Sequence, residues 1–284
     1  MMIEKILLAD SGTGHSEEML KALMDLPSIQ RSSVTILHVV PSQVSAETMA
    51  VKWEEGGKFL ATTMSKLQLD PSRVRTILRQ GEPKDLVCQV ADEIDADLIV
   101  MGSRGLKRLQ SILSNSVSQY VFQLSSRPML LVKDDIYVKK LNRIMVAFDG
   151  SDAAQQCLQL ALFLLRDIKG GQLILTHVSK DLNSKSGTTK QTEVGQDSVL
   201  APAIAEAKKQ GVQPRCITAY GRPGEEICRL AEEMQVDLLV LGSPDRRPTI
   251  ARSFVDLDRL LSASLSDYVR VNANCPVLLA RTGV

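Results

Sequence analysis

The chain has 284 residues, 44% hydrophobic and 24% charged, with a formal net charge of +1, the profile of an ordinary globular protein of about two domains. So even a charge balance, with only 4% aromatic residues, gives no footing for a nucleic-acid partner or an anionic membrane surface. The opening apolar run is too short for a signal-peptide core, and no later run is long enough to span a bilayer.

In chain order, residues 3–9 predict a buried strand ending at Asp10, followed by Ser11-Gly12-Thr13-Gly14. Residues 16–25 predict a helix stopped by Asp25-Leu26-Pro27. A second strand over 33–40 ends at Pro41, and a long helix over 46–68 carries the only tryptophan, Trp53. A third strand over 73–79 runs into the turn Gly81-Glu82-Pro83, where Pro83 suits a first helical turn. In the helix that follows, Leu86, Val87, Val90, Ala91 and Ile94 make one apolar face. A fourth strand over 97–101 meets Gly102-Ser103-Arg104-Gly105; a helix over 116–124 and a fifth strand over 128–132 complete the half. Residues 133–141 are a charged connection. Strands near 142–148, 171–178, 213–219, 237–241 and 276–280 then repeat the scheme, and the polar stretch 180–197 predicts a mobile loop. Continuous apolar strands alternating with helices predict a doubly wound α/β fold with parallel sheets.

The two halves are duplicates. The segment beginning Gly81-Glu82-Pro83 recurs from Gly221-Arg222-Pro223, and ADLIVMGS at 96–103 recurs as VDLLVLGS at 236–243, both at an offset of 140. ILLAD ending at Asp10 matches MVAFD ending at Asp149, and RPMLLVK matches CPVLLAR. Eight extra residues lie between Gly242 and Leu261 of the second half. This gives one domain over 1–133 and a second over 142–284. The five cysteines form no CxxC pair and have no histidine nearby in sequence, so they read as reduced thiols of a cytoplasmic protein.

Ligands of open α/β sheets bind beyond the carboxyl ends of the strands. There the first half collects Asp10, His38-Val39, the Gly81 turn, and Gly102 through Ser116. A glycine turn and a helix start both offer backbone N–H groups to an anion, so the stretch 98–117 reads as a phosphate site. His38 and His177 lie in apolar strands without a sequence partner and read as satisfied core histidines.

These residues resemble the universal stress protein family, as two fused copies. Nucleotide-binding members carry Gly-x-x-Gly, nine residues, then Gly-Ser or Gly-Thr. Gly102, Gly105, the nine-residue spacing, Ser116 and Val117 match, while Asn115 replaces the third glycine. The resemblance implies an adenine-nucleotide site, for ATP or a relative with Mg2+ accompanying the phosphates. Asp10, Ser11, Gly12 and Val39 would line the base and ribose; Gly102, Gly105, Asn115 and Ser116 would hold the phosphates, with Arg104 and Val117 also in the binding site. Lys107 and Arg108 either add charge or are solvated. In the second half Pro244-Asp245 stands for Arg104-Gly105, and Ala263 stands for Asn115. It reads as a decayed site, the alternative being an anion site remodelled around Arg246, Arg247 and Arg252.

The function so implied is a nucleotide-binding regulatory protein of the stress response, with a protein partner downstream. A slow ATP hydrolase or adenylyl-transfer enzyme, a cyclic-nucleotide sensor and a ligand-free scaffold are the alternatives. No GxxxxGK[ST] loop and no base-plus-nucleophile set is evident. The resemblance also implies an internal pseudo-dimer joined through the strands at 128–132 and 276–280, with a homodimer of such chains as a further step.

Overall fold

The computed structural model describes residues 3–12, 15–43, 45–103, 116–136, 140–179, 189–191 (backbone only), 197–243 and 264–281. The chain forms two compact units, residues 2–137 and 138–284. In the first, β1 (Lys5–Ala9), β2 (Ser33–Val40), β3 (Val74–Gln80), β4 (Leu98–Ser103) and β5 (Met129–Lys133) make a parallel sheet in the order β3-β2-β1-β4-β5. Helices α1 (Ser16–Met24), α2 (Ala46–Leu67), α3 (Pro83–Glu93) and α4 (Val117–Leu124) supply the connections. The strand order reverses at β1, whose neighbours are β2 and β4. Such a reversal opens a crevice at the carboxyl ends of the strands.

The central strands β1 and β4 are apolar on both faces. Ile6, Leu7, Leu8, Ile99 and Val100 are fully buried, as a sheet covered by helices on both sides requires. Asp97 Oδ2 accepts the N–H groups of Glu4 and Lys5 at 2.8 and 2.9 Å. That carboxylate fixes where β1 begins against β4, and hence where both strands end.

The second unit repeats the plan. Strands β6 (Arg143–Ala147), β7 (Gln172–Ser179), β9 (Arg215–Tyr220), β10 (Leu238–Ser243) and β11 (Val277–Arg281) are parallel in the order β11-β10-β6-β7-β9. Its helices are α5 (Asp152–Leu165), α6 (Ala201–Lys209), α7 (Pro223–Glu233) and α8 (Leu265–Asn272). Asp237 Oδ2 accepts from Asn142 and Arg143 N–H at 3.0 and 2.8 Å, the same anchor as Asp97.

Three details depart from the sequence expectations. The fourth strand does not stop at 101: β4 runs through Ser103, and Gly102 sits opposite Val132 of β5. The stretch 180–197 is not loop throughout. Thr189–Gln191 forms β8, antiparallel to β9, and Asp197 is hydrogen-bonded into the unit; 180–188 and 192–196 lie outside the described residues. The charged connection also begins inside the fold, because Lys133 ends β5 with only 4% of its surface exposed.

Candidate functional site

In the first unit a cleft of about 340 Å³ opens at the carboxyl ends of the strands. Asp10, Ser11, Val39, Gly102, Ser116 and Val117 line it together, though 107 positions separate the first from the last. Ser103 and Asp134, which sequence reasoning left out, also face it. The signal for Ser103 was present in the Gly-Ser pair that both halves keep after the fourth strand. Arg104, Gly105, Lys107, Arg108 and Asn115 lie outside the described residues.

Asp10 follows β1 and takes a bend that Gly12 makes available. Gly12 has φ +79°, and its N–H donates to Asp10 Oδ1 at 2.9 Å. An added Cβ there would meet the Phe59 ring at 3.0 Å, so glycine is required on two counts. The Asp10 carboxyl is 6% exposed. The Thr63 hydroxyl of α2 lies 3.5 Å from Asp10 Oδ2 and 3.1 Å from Glu17 Oε1, so one proton serves two carboxylates. Lys66 Nζ lies 3.2 Å from Glu17 Oε2. Burial, and then the nearby Glu17 carboxylate, push the Asp10 carboxyl up to about 6 against the pull of the Gly12 N–H. Thr63 and Glu17 reach Asp10 from separate helices, a proximity no local pattern announces.

Ser116 opens α4. Its Oγ accepts the Gln119 N–H at 3.2 Å and lies 3.3 Å from Ser118 Oγ. The capped helix start, with its positive dipole end, borders the cleft. Ser103 Oγ, buried in the wall, has no hydrogen-bond partner among the described residues.

His38 is half-buried, and its Nδ1 donates to the Asp10 main-chain oxygen at 2.9 Å. Its ring packs on Phe59 with centroids 4.6 Å apart. It is a satisfied structural histidine, as expected, although it is not fully in the core. None of the five cysteines forms a disulfide. Burial pushes Cys88 up to about 11 and Cys157 to about 12, so neither offers a thiolate at neutral pH. Among the described residues no three His, Cys, Asp or Glu side chains gather to hold a metal ion. No described helix is long and apolar enough to cross a membrane.

The second unit has a larger cleft, about 600 Å³, at the matching position. Asp149 is exposed where Asp10 is buried. Its Oδ1 accepts both the N–H and the hydroxyl of Ser151, at 3.0 and 2.5 Å. The Ser151 oxygen in turn caps α5 by accepting the Ala154 N–H at 3.2 Å. Gly242 closes against α5, where an added Cβ would stand 2.8 Å from Ala153 Cβ. His177 lines this cleft half-buried, with Nδ1 2.8 Å from Asp197 Oδ2. Pro244, Asp245, Arg246, Arg247, Arg252 and Ala263 lie outside the described residues.

A hollow of about 530 Å³ in the first unit, beside Lys21, Arg31 and Arg73, sits at the amino ends of β2 and β3. It includes none of the predicted site residues.

Two doubly wound parallel α/β units, each with a cleft where a glycine-bearing strand meets a serine-capped helix, define a duplicated protein of Rossmann-like fold. The model of the universal stress protein family matches residues 2–133 and 140–281, and the chain belongs to that family as a tandem member. Universal stress protein YxiE of Bacillus subtilis is 32% identical over 148 residues, covering 46% of this chain and all of that protein. Universal stress protein Sll1654 of Synechocystis is 31% identical over 136 residues, 46% of this chain and 87% of its own length. A solved universal stress protein from Archaeoglobus fulgidus shares the fold over 99% of this chain and 97% of its own, with a TM-score of 0.75 and 20% identity.

Proposed function

We propose that this chain is a regulatory adenine-nucleotide-binding protein of the stress response, working in the cytoplasm, with its nucleotide held in the first-unit cleft. The reading takes 1–133 as the nucleotide-binding domain and 142–284 as its diverged duplicate. The observation that carries it is the convergence of Asp10, Val39, Gly102 and Ser116 on one cleft at the strand-order reversal. Asp10, with one oxygen committed to Gly12 and the other only loosely engaged at 3.5 Å, suits a ribose hydroxyl. Gly102, Gly105, Asn115, Ser116 and Val117 would present N–H groups and the α4 dipole to the phosphates, with Arg104 adding charge. The orphaned Ser103 hydroxyl would gain a phosphate-oxygen partner. Mg2+ would ride on the phosphates.

Regulation would follow from differential binding: a nucleotide that prefers one loop state shifts the chain toward it and changes which partner docks. The test is calorimetric titration of the full chain with ATP, AMP and cyclic AMP, repeated on Gly102→Val. Loss of affinity by tenfold or more with an unchanged circular dichroism spectrum supports the reading. Undiminished affinity in the variant, or no binding of any of the three, overturns it.

A further inference from the structure

The second cleft differs from the first at several positions. Leu37 of β2 becomes Thr176 of β7, Leu78 becomes Thr218, and Lys84 becomes Gly224. In the first unit Lys84 Nζ sits over the Tyr120 ring at 5.0 Å, and Tyr120 takes no part in the cleft wall. In the second, Gly224 leaves no such cover. A Cβ added at Gly224 would stand 2.6 Å from the ring of Tyr268, the counterpart of Tyr120, and Tyr268 now lines the cleft. With Phe148, Ile227, Leu241 and Leu265 it makes apolar walls fit for a flat ring system.

Into that apolar setting the sequence places an oriented base. Asp197 is held by the N–H of Val199 at 2.9 Å and by the Thr218 hydroxyl at 2.7 Å. Burial works against its charge, but the bonds from Thr218 and His177 outweigh it and keep the carboxyl below its usual range. A charged carboxylate only accepts, so His177 Nδ1 carries the shared proton, and in the neutral imidazole Nε2 is then the acceptor. Among the described residues nothing hydrogen-bonds that Nε2. The Thr176 hydroxyl next to it in sequence is buried without a partner among the described residues. His38, held by a main-chain oxygen outside the first cleft's wall, has no such arrangement.

The phosphate-binding features fade over the same positions. Pro244 has no N–H to offer, Asp245 brings a negative charge where Gly105 stood, and Ala263 lacks the side-chain amide that Asn115 carries. The described cation of the wall, Arg222, is 83% exposed and engaged with Glu225 at 3.1 Å. Ser151 is no nucleophile for His177, since its hydroxyl donates to Asp149 and its lone pair caps α5. The arrangement binds rather than reacts.

We propose that the second-unit cleft is a binding site for an uncharged aromatic ligand bearing a hydroxyl group, which donates its hydrogen bond to His177 Nε2 while its ring lies along Tyr268. The site is independent of the nucleotide reading for the first unit.

The test uses the full wild-type chain labelled with ¹⁵N-histidine, whose three histidines give separate signals. The probes are 2-naphthol, 2-methoxynaphthalene, which lacks the donor, and 2-naphthyl phosphate, which adds charge. The expected result is a saturable shift of the His177 Nε2 signal by 2-naphthol with His38 unmoved, and affinities for the other two probes roughly tenfold or more weaker. His177→Ala should weaken 2-naphthol to the same degree. Because that variant also removes a partner from Asp197, the comparison of probes on wild-type protein decides. Equal affinity for 2-methoxynaphthalene or 2-naphthyl phosphate, or no His177 shift up to the solubility limit of 2-naphthol, overturns the proposal.

Discussion

Asp10 is the residue on which the first cleft turns, and its environment makes a pH prediction. Its ordinary value of 3.8 is raised to about 6 in the fold, so the folded chain holds the proton more tightly than the unfolded one. Stability from this group is fully present below about pH 4 and is lost as pH rises through about 6. The loss is on the order of 2–3 kcal/mol. Urea unfolding at several pH values should show the first unit weakening across this window, and Asp10→Asn should flatten the dependence, since the amide oxygen still accepts from Gly12. An unchanged slope in the variant would mean that another group sets it. Gly12→Ala tests the same bend from the backbone side. With φ +79° and Phe59 at 3.0 Å, the substitution should cost roughly 1–2 kcal/mol in the same unfolding measurement.

At the scale of elements, the site depends on where helices start and how closely they approach the strands. Ser116 caps α4 and Ser264 caps α8, each accepting the N–H three residues on. Ser116→Ala should cost about 1 kcal/mol of stability, and it should also weaken nucleotide binding, because the cleft loses both a hydroxyl and a fixed helix end. Ser264→Ala should cost a similar amount of stability and leave nucleotide affinity unchanged. If the two variants alter nucleotide affinity alike, the assignment of the nucleotide to the first unit is wrong. Gly242→Val addresses the approach of α5 to β10. The new side chain would meet Ala153 backbone and Cβ at 3.0 and 2.8 Å, so α5 must move. A destabilisation of about 2 kcal/mol or more in thermal unfolding is expected.

What was legible in the sequence was what periodicity and repetition write locally. Buried parallel strands such as LIVM at 98–101 are continuous apolar runs, and Pro83 and Pro223 mark helix starts. Asp10, Val39, Gly102 and Ser116 could be named because each ends a strand or begins a helix at the edge where such sheets bind ligands. The polar contacts around them were not legible. Thr63 and Glu17 reach Asp10 from α2 and α1, and Asp197 reaches His177 across a stretch that reads as featureless polar loop. His177 looked identical to His38 because both sit in the same apolar motif; only the tertiary partner, a carboxylate in one and a main-chain oxygen in the other, separates their roles.

Across the whole molecule, duplication followed by divergence is the central proposal: one unit would keep a nucleotide site and the other would have given it up for a different ligand. Native mass spectrometry of the full chain, first as purified and then with ATP, tests this most directly, because it counts and weighs what is bound and reports the oligomer in the same spectrum. The account predicts one adenine nucleotide per chain, lost in Gly102→Val and retained in Ser264→Ala. Two nucleotides per chain, or none at millimolar ATP, would contradict it.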